Sequence, residues 1–215
     1  MDKENLKKLL LSFTEDDYKS KVDLHIHSDK SDGTMTPKEI VEQAKQKGKK
    51  YIAISDHNTI EAYLSTNILA DNIVIPAVEF DCLHKGVLIH ILGYGIDIDN
   101  KEIQSLYAKN EYGTKHNIYR IFHLRDPHEV IYKIKQAGGI AVLAHPACYW
   151  CRDLDKFVKE LVEMGLEGIE TYYPYRRLRC IVKFHLKKTV IQIADKYNLI
   201  KTGGTDSHGK KLLEL

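Results

Sequence analysis

The predicted fold and site of this chain depend on one stretch, Asp23-Leu24-His25-Ile26-His27-Ser28-Asp29-Lys30-Ser31-Asp32-Gly33-Thr34. Apolar and polar residues alternate at its start, and a period of two predicts a β-strand. In a strand, His25 and His27 lie on the same face, about 7 Å apart along the chain. Two imidazoles so placed can bind one metal ion. A strand that carries two surface histidines would show the same pattern, so the rest of the chain has to decide.

Composition limits the possible classes of protein. The chain has 215 residues, of which 43% are hydrophobic and 29% charged, enough for one large α/β domain or two small ones. A net charge of +2 argues against a surface for stable binding of duplex nucleic acid, although it permits a nucleotide substrate. We find no apolar run of the ~20 residues that a membrane span needs, and the charged N-terminus does not resemble a secretory signal. We therefore expect a cytoplasmic protein without membrane contact.

Strand-like runs alternate with helical patterns along most of the chain. Residues 1–20 carry leucines at helical spacing and are predicted to form an N-terminal helical extension, and residues 21–215 form a single domain. We predict seven strands: 21–27, 51–55, 73–78, 87–92, 139–144, 168–173 and a short one that ends near Gly203. Regular alternation favours a parallel sheet, either open or closed into a barrel.

Polar side chains follow these strands where each one ends. Asp56-His57, Glu79, His145 and the segment Asp206-Ser207-His208 all lie at or just past the end of an apolar run. A barrel places all such ends on one rim, whereas an open sheet gathers ligands only near one switch point. Because ligands follow nearly every strand, we predict a distorted barrel of about seven strands with its site on the C-terminal rim.

Six histidines and three carboxylates form the predicted ligand set. These nine are His25, His27, Asp32, His57, Glu79, His90, His145, Asp206 and His208. Nitrogen and oxygen ligands without cysteine suit Zn²⁺, Mn²⁺ or Fe²⁺. Nine ligands exceed the needs of one ion, so we expect two or three divalent ions.

Several motifs in this order resemble the polymerase and histidinol phosphatase (PHP) family of metal-dependent phosphoesterases. They are His25-Ile26-His27, Ser31-Asp32-Gly33-Thr34, Asp56-His57-Asn58-Thr59, Val78-Glu79-Phe80, His90-Ile91-Leu92-Gly93-Tyr94-Gly95, Ala144-His145-Pro146 and Thr205-Asp206-Ser207-His208. The resemblance implies a distorted (β/α)7 barrel with a trinuclear metal site at the C-terminal rim of the strands. It also implies hydrolysis of a phosphate ester by a metal-bound hydroxide, which attacks phosphorus in line.

The resemblance further implies how the ligands divide. One ion is held by His25, His27, Glu79 and Asp206; a second by Glu79, His90 and His145; a third by Asp32, His57 and His208. Glu79 thereby bridges two ions. Asp56 precedes a ligand and is expected to orient a neighbouring imidazole without binding metal itself.

The substrate is less well defined by the sequence. The nearest branch of the family usually has a helical insertion between the strand of His90 and Ala144-His145-Pro146, and this connection is short here. In addition, Tyr173 stands where that branch often has a histidine. Arg176 and Arg177 are predicted to bind phosphate oxygens, and Tyr173 to contact a base. We therefore expect a nucleotide or a short RNA end as substrate. The alternatives are a histidinol-phosphate phosphatase and a non-catalytic, metal-stabilised PHP module.

Overall fold

The computed structural model of the chain describes residues 1–175 and 184–215. The strands in this part are β1 (Val22–Ile26), β2 (Tyr51–Ile54), β3 (Ala77–His84), β4 (Val87–Tyr94), β5 (Ile140–Leu143), β6 (Gly168–Tyr172) and β7 (Ile200–Gly203). The helices are α1 (Lys3–Ser12), α2 (Glu15–Ser20), α3 (Pro37–Gln46), α4 (Glu61–Leu64), α5 (Lys101–Gln104), α6 (Tyr112–Lys115), α7 (Asn117–Ile121), α8 (Pro127–Gln136), α9 (Leu154–Glu163) and α10 (Lys187–Lys196). None of these helices is long and apolar enough to cross a bilayer.

The strands form an α/β fold with mixed sheets. β1 and β2 pair in parallel, and a second sheet has the order β3-β4-β5-β6-β7. Within it, β4 pairs antiparallel with both β3 and β5, whereas β5 pairs parallel with β6 and β6 pairs parallel with β7. The expectation of an all-parallel sheet is therefore wrong at β4, which runs opposite to the other strands of this sheet. The two-residue turn of Lys85 and Gly86, both with positive φ, makes a tight hairpin and leaves no room for a crossover helix.

Isolated parallel bridges connect the two sheets. Ile52 pairs with Val74 and His57 with Glu79, between β2 and β3, and Ile26 pairs with Ser207, between β1 and the segment after β7. The described strands nevertheless form two separate sheets, so the predicted closed (β/α)7 barrel is not confirmed.

Capping residues explain where the longer helices begin. Thr36 forms a capping box with Glu39, and Pro37 follows at the first helical position of α3. Between β2 and β3, the helical structure consists of α4 and a short 3₁₀ turn from Ile68 to Ala70.

The first twenty residues pack into the body of the protein. Leu6, Leu10 and Tyr18 are almost fully buried and belong to one apolar cluster with Leu92 of β4 and Val142 of β5. Helices α1 and α2 therefore cover apolar surface of the sheet, and do not extend freely from it.

Candidate metal centre

The ends of the strands bring the nine predicted ligands together. β1 carries His25, β3 carries Glu79 and β4 carries His90, while the other ligands lie in the loops that follow strands. They are between fully buried and slightly exposed, and their ligand atoms form overlapping groups. Their role as metal ligands stays a prediction. The distances within each group can be compared with those that a bound ion requires.

One group consists of His25 Nε2, His27 Nε2 and Asp206 Oδ1. The two nitrogens are 3.1 Å apart, and the carboxylate oxygen is 3.6 Å and 3.2 Å from them. Glu79 Oε2 lies 3.3 Å and 3.2 Å from the same nitrogens. Ligands at zinc distances in a tetrahedron are separated by about 3.3 Å. The side chains are thus spaced as a small divalent ion requires.

A second group lies on the other oxygen of Glu79. Oε1 is 3.1 Å from His90 Nδ1 and 3.3 Å from His145 Nε2, and these two nitrogens are 3.2 Å apart. The two oxygens of one carboxylate therefore face different imidazoles, Oε1 those of His90 and His145, and Oε2 those of His25 and His27, with His57 Nδ1 a further 3.4 Å contact of Oε2. This arrangement is what a bridging ligand needs.

The third group is more open. His208 Nε2 is 3.0 Å from Asp32 Oδ1, while His57 Nε2 is 3.8 Å from Asp32 Oδ2. His27 also approaches this group, with Nδ1 3.6 Å from Asp32. One ligand atom from each of these four residues fits within 4.8 Å of the others.

Carboxylates and hydroxyls behind the histidines fix their ring orientation. Glu170 Oε1 lies 3.0 Å from His25 Nδ1, and its other oxygen accepts the backbone N–H of His145 at 2.8 Å. This contact directs His25 Nε2 towards the first group, as partners of metal-ligating histidines do. Glu170 was not among the residues predicted from the sequence, although a charged residue inside an apolar strand is a usable signal.

Asp56 contacts the imidazoles only indirectly. It accepts hydrogen bonds from the backbone and hydroxyl of Ser28 and from Ser31 Oγ, which is 3.4 Å from His27 Nδ1. Any effect of Asp56 on ring orientation passes through Ser31.

Hydrogen bonds connect β1 to the segment that follows β7. Buried Asp23 accepts from Thr205, at 2.9 Å for the backbone N–H and 2.7 Å for the hydroxyl. Asp206 N donates to His25 O at 2.7 Å, and Asp206 adopts a left-handed φ of 51°. A residue other than glycine rarely adopts this conformation, and such strain is typical of functional sites.

Opposite charges set the protonation of the metal-free site. Burial opposes protonation of His27 and His90, but the carboxylates beside them outweigh it and raise the pKa of His27 to about 9 and that of His90 to about 10. Burial lowers the pKa of His57 to about 4. Burial disfavours the charged form of Glu79, yet His25, His90 and His57 hold the pKa of its carboxyl well below the usual range.

A pocket of about 390 Å³ opens beside the predicted ligands, and six of the nine line it: Asp32, His57, Glu79, His90, His145 and Asp206. Residues outside the ligand set form other parts of its lining, namely Asp81, Leu88, Asn117, Arg120, Ile121, Leu124, Cys148 and Tyr173. Arg120 belongs to α7, in the connection of residues 96–139, and its guanidinium is almost fully buried. The sequence analysis missed Asp81 and Arg120. The turn at Lys85-Gly86 could have revealed Asp81, because it sets Asp81 opposite His90 in the hairpin.

The predicted substrate contacts have different positions. Tyr173 lines the pocket, but its ring is largely buried, 5.3 Å from that of His145, and its hydroxyl donates to Asp206 at 2.8 Å. Arg176 and Arg177 lie outside the described residues. Substrate binding by these three residues stays a prediction.

Known proteins resemble this chain in sequence and in fold. The model of the PHP domain matches residues 23–142. A phosphoribosyl 1,2-cyclic phosphate 1,2-diphosphodiesterase from Eggerthella lenta is 26% identical, over 87% of this chain and 94% of its own. A 5′-3′ exoribonuclease from Haemophilus influenzae is 35% identical, over 40% of this chain and 32% of its own. A solved structure from Bifidobacterium adolescentis, assigned by inference as a metal-dependent phosphoesterase, superimposes with a TM-score of 0.71, at 21% identity over 91% of this chain and 90% of that one.

The matched domain covers more than half of the chain, so the protein belongs to the PHP family. The resemblance found in the sequence is thereby confirmed, and the solved structure agrees with it in fold.

Proposed function

We propose that this PHP-family metal-dependent phosphoesterase hydrolyses phosphate esters of nucleotides or short oligonucleotides. The observation that carries the proposal is the gathering of six imidazoles and three carboxylates at the strand ends. Six of these nine side chains line the pocket that also contains the Arg120 guanidinium. A cluster of divalent-ion ligands beside a cationic side chain suits an anionic ester.

Two to three divalent ions, of zinc, manganese or iron, fit the three groups. When bound, such ions supply an activated water as nucleophile and neutralise charge on phosphate oxygens. The chain itself holds Glu79 between two imidazole pairs, and it orients His25 through Glu170. This preorganisation means that the ligands need little movement during a reaction.

The pocket supports a substrate larger than phosphate alone. Its volume of about 390 Å³ lies at the small end of the range for small-molecule sites. Leu88, Ile121 and Leu124 add apolar surface beside the polar ligands, which suits a sugar or base attached to a phosphate. The Eggerthella relative named as acting on a phosphoribosyl cyclic phosphate, and the exoribonuclease, favour ribose-containing esters.

We also infer that the seven strands together form a distorted (β/α)7 barrel over residues 21–215, with the site at the C-terminal rim. The isolated bridges between β2 and β3, and between β1 and the end of β7, support this inference.

A substrate screen tests the proposal. The protein is loaded separately with Mn²⁺, Zn²⁺ or Fe²⁺ and assayed on nucleoside monophosphates and bisphosphates, ribose cyclic phosphates, short 5′-phosphorylated RNA and histidinol phosphate. Turnover of ribose-containing esters is expected. Efficient turnover of histidinol phosphate alone would replace the proposed substrate class. Metal binding without hydrolysis of any ester would favour a non-catalytic module.

A further inference from the structure

Asp81 faces His90 directly across the hairpin of β3 and β4. Its Oδ1 is 3.2 Å from His90 Nε2, while the other ring nitrogen, Nδ1, lies in the group with Glu79 and His145. A carboxylate on the far nitrogen of a metal-ligating imidazole fixes the tautomer and aims the near nitrogen. Asp81 therefore stands to His90 as Glu170 stands to His25.

The same carboxylate also binds Arg120. Nε of Arg120 donates to Asp81 Oδ2 at 3.0 Å, and Nη2 donates to Oδ1 at 3.2 Å. Two such parallel bonds fix the plane of the guanidinium as well as its position. Both side chains are nearly fully buried, so the pair is shielded from solvent screening.

The pair with Asp81 occupies only some of the N–H groups of Arg120. Its Nη1 donates to Asp32 Oδ2 at 3.3 Å and to Thr114 O at 3.4 Å. A guanidinium carries five N–H groups, and the contacts found within residues 1–175 and 184–215 use four of them. The fifth, on Nη2, belongs to a side chain that lines the pocket.

Anchoring of the connection to β3 is a weak explanation for the pair. Buried ion pairs are often no more stabilising than apolar residues of the same volume. The position of Asp81, between a predicted metal ligand and the arginine of the pocket, calls for a role in the site.

We propose that Asp81 is a positioning residue shared by the metal centre and an anion subsite, in which Arg120 receives a phosphate oxygen of the substrate. This inference rests on the proposed function for the identity of the anion. It predicts that one change at Asp81 weakens two separate binding events, whereas a change at Glu170 weakens only one.

Binding measurements without turnover test this. Affinity for Mn²⁺ is measured by chelator competition, and affinity for inorganic phosphate by calorimetry at saturating Mn²⁺. Asp81→Asn keeps the shape and removes the charge; it should lower Mn²⁺ affinity about 10- to 100-fold. At saturating Mn²⁺ it should also raise the Kd of phosphate about tenfold, because Arg120 loses the carboxylate that fixes the orientation of its guanidinium.

Two matched variants make the result specific. Glu170→Gln removes the carboxylate behind His25 but does not contact Arg120; it should lower Mn²⁺ affinity similarly and leave the phosphate Kd unchanged. Arg120→Lys keeps the charge and loses the bidentate geometry; it should raise the phosphate Kd. Because Arg120 also donates to Asp32 and Asp81, Arg120→Lys should lower Mn²⁺ affinity, but less than Asp81→Asn does.

The inference is overturned if Asp81→Asn changes only one of the two affinities, or neither. It is also overturned if Glu170→Gln raises the phosphate Kd as much as Asp81→Asn does. Circular dichroism checks that each variant is folded. If Asp81→Asn does not fold, Asp81→Glu replaces it; this variant moves the carboxylate and should weaken both affinities, and an unchanged value for either one refutes the inference. A wild-type protein that binds Mn²⁺ and phosphate but hydrolyses no ester would refute the proposed function alone.

Discussion

The strand ends and the connection of residues 96–139 build different parts of one pocket. The strand ends carry buried ligands whose backbones are fixed by neighbouring strands, as Glu79 is by its pairing with Leu92. The connection consists largely of short helices, and two of its apolar residues, Ile118 and Phe122, are 77% and 79% exposed. The strand ends therefore fix the geometry of the predicted metal ligands. We expect the choice of substrate to depend on the less regular region, where sequence changes disturb the strands least.

The largest effect is expected at the strand ends, from Glu79→Ala. The substitution removes one carboxylate whose two oxygens face two imidazole groups. We expect loss of more than one ion per chain and a fall in activity well beyond the 10- to 100-fold typical of changes behind the ligands. Elemental analysis of the purified variant measures the first effect, and a phosphatase assay the second.

His57→Ala is the comparison variant for Glu79→Ala. His57 belongs to the more open group with Asp32, so a smaller loss of metal is expected. Equal losses from the two variants would argue against a bridging role of Glu79.

A second prediction concerns pH at the same strand ends. Because the pKa of His27 is raised to about 9 and that of His90 to about 10, both rings hold a proton at neutral pH in the metal-free protein. Metal binding must displace these protons, so affinity should rise with pH up to about 9 and fall as the pH decreases. The expected slope is about tenfold per pH unit for each displaced proton.

Calorimetry in two buffers of different ionisation enthalpy measures the number of protons released. An affinity that does not change from about pH 6 to neutrality, across the reference pKa of histidine, would contradict the prediction.

The smallest effect is expected in the connection, from Ile121→Ala. Ile121 lines the pocket, and partial loss of its apolar contact should raise KM by about threefold to fivefold, from about 1 kcal/mol. Metal content should not change, since the side chain is apolar. Ile118→Ala is the matched control from the same helix, because Ile118 is outside the lining of the pocket and should leave KM unchanged. A change in metal content in either variant would contradict the expectation that the strand ends alone determine metal binding.

The two regions also differ in how well the sequence predicted them. Period-two alternation identified β1, and the apolar runs before His145 and Asp206 correctly predicted that these residues follow strands, because these signals are local. The antiparallel hairpin was missed although Lys85-Gly86 is a turn signal, and with it the pairing of Asp81 with His90. Arg120 gave no local signal at all. Its position depends on the tertiary contact with Asp81, which no periodicity within the connection reveals.

The hydrogen bonds between Asp23 and Thr205 have a consequence for the timing of folding. They join residues 182 positions apart, so they form only after nearly the whole chain is available. At synthesis rates of about 5 to 20 residues per second, the first strand waits about 10 to 40 s for its partner to leave the ribosome. Closing so long a loop also costs entropy before any contact offsets it, which slows folding in proteins rich in distant contacts. During that interval β1 can pair with β2, but its other edge, which later contacts the segment after β7, is open to pairing with other strands.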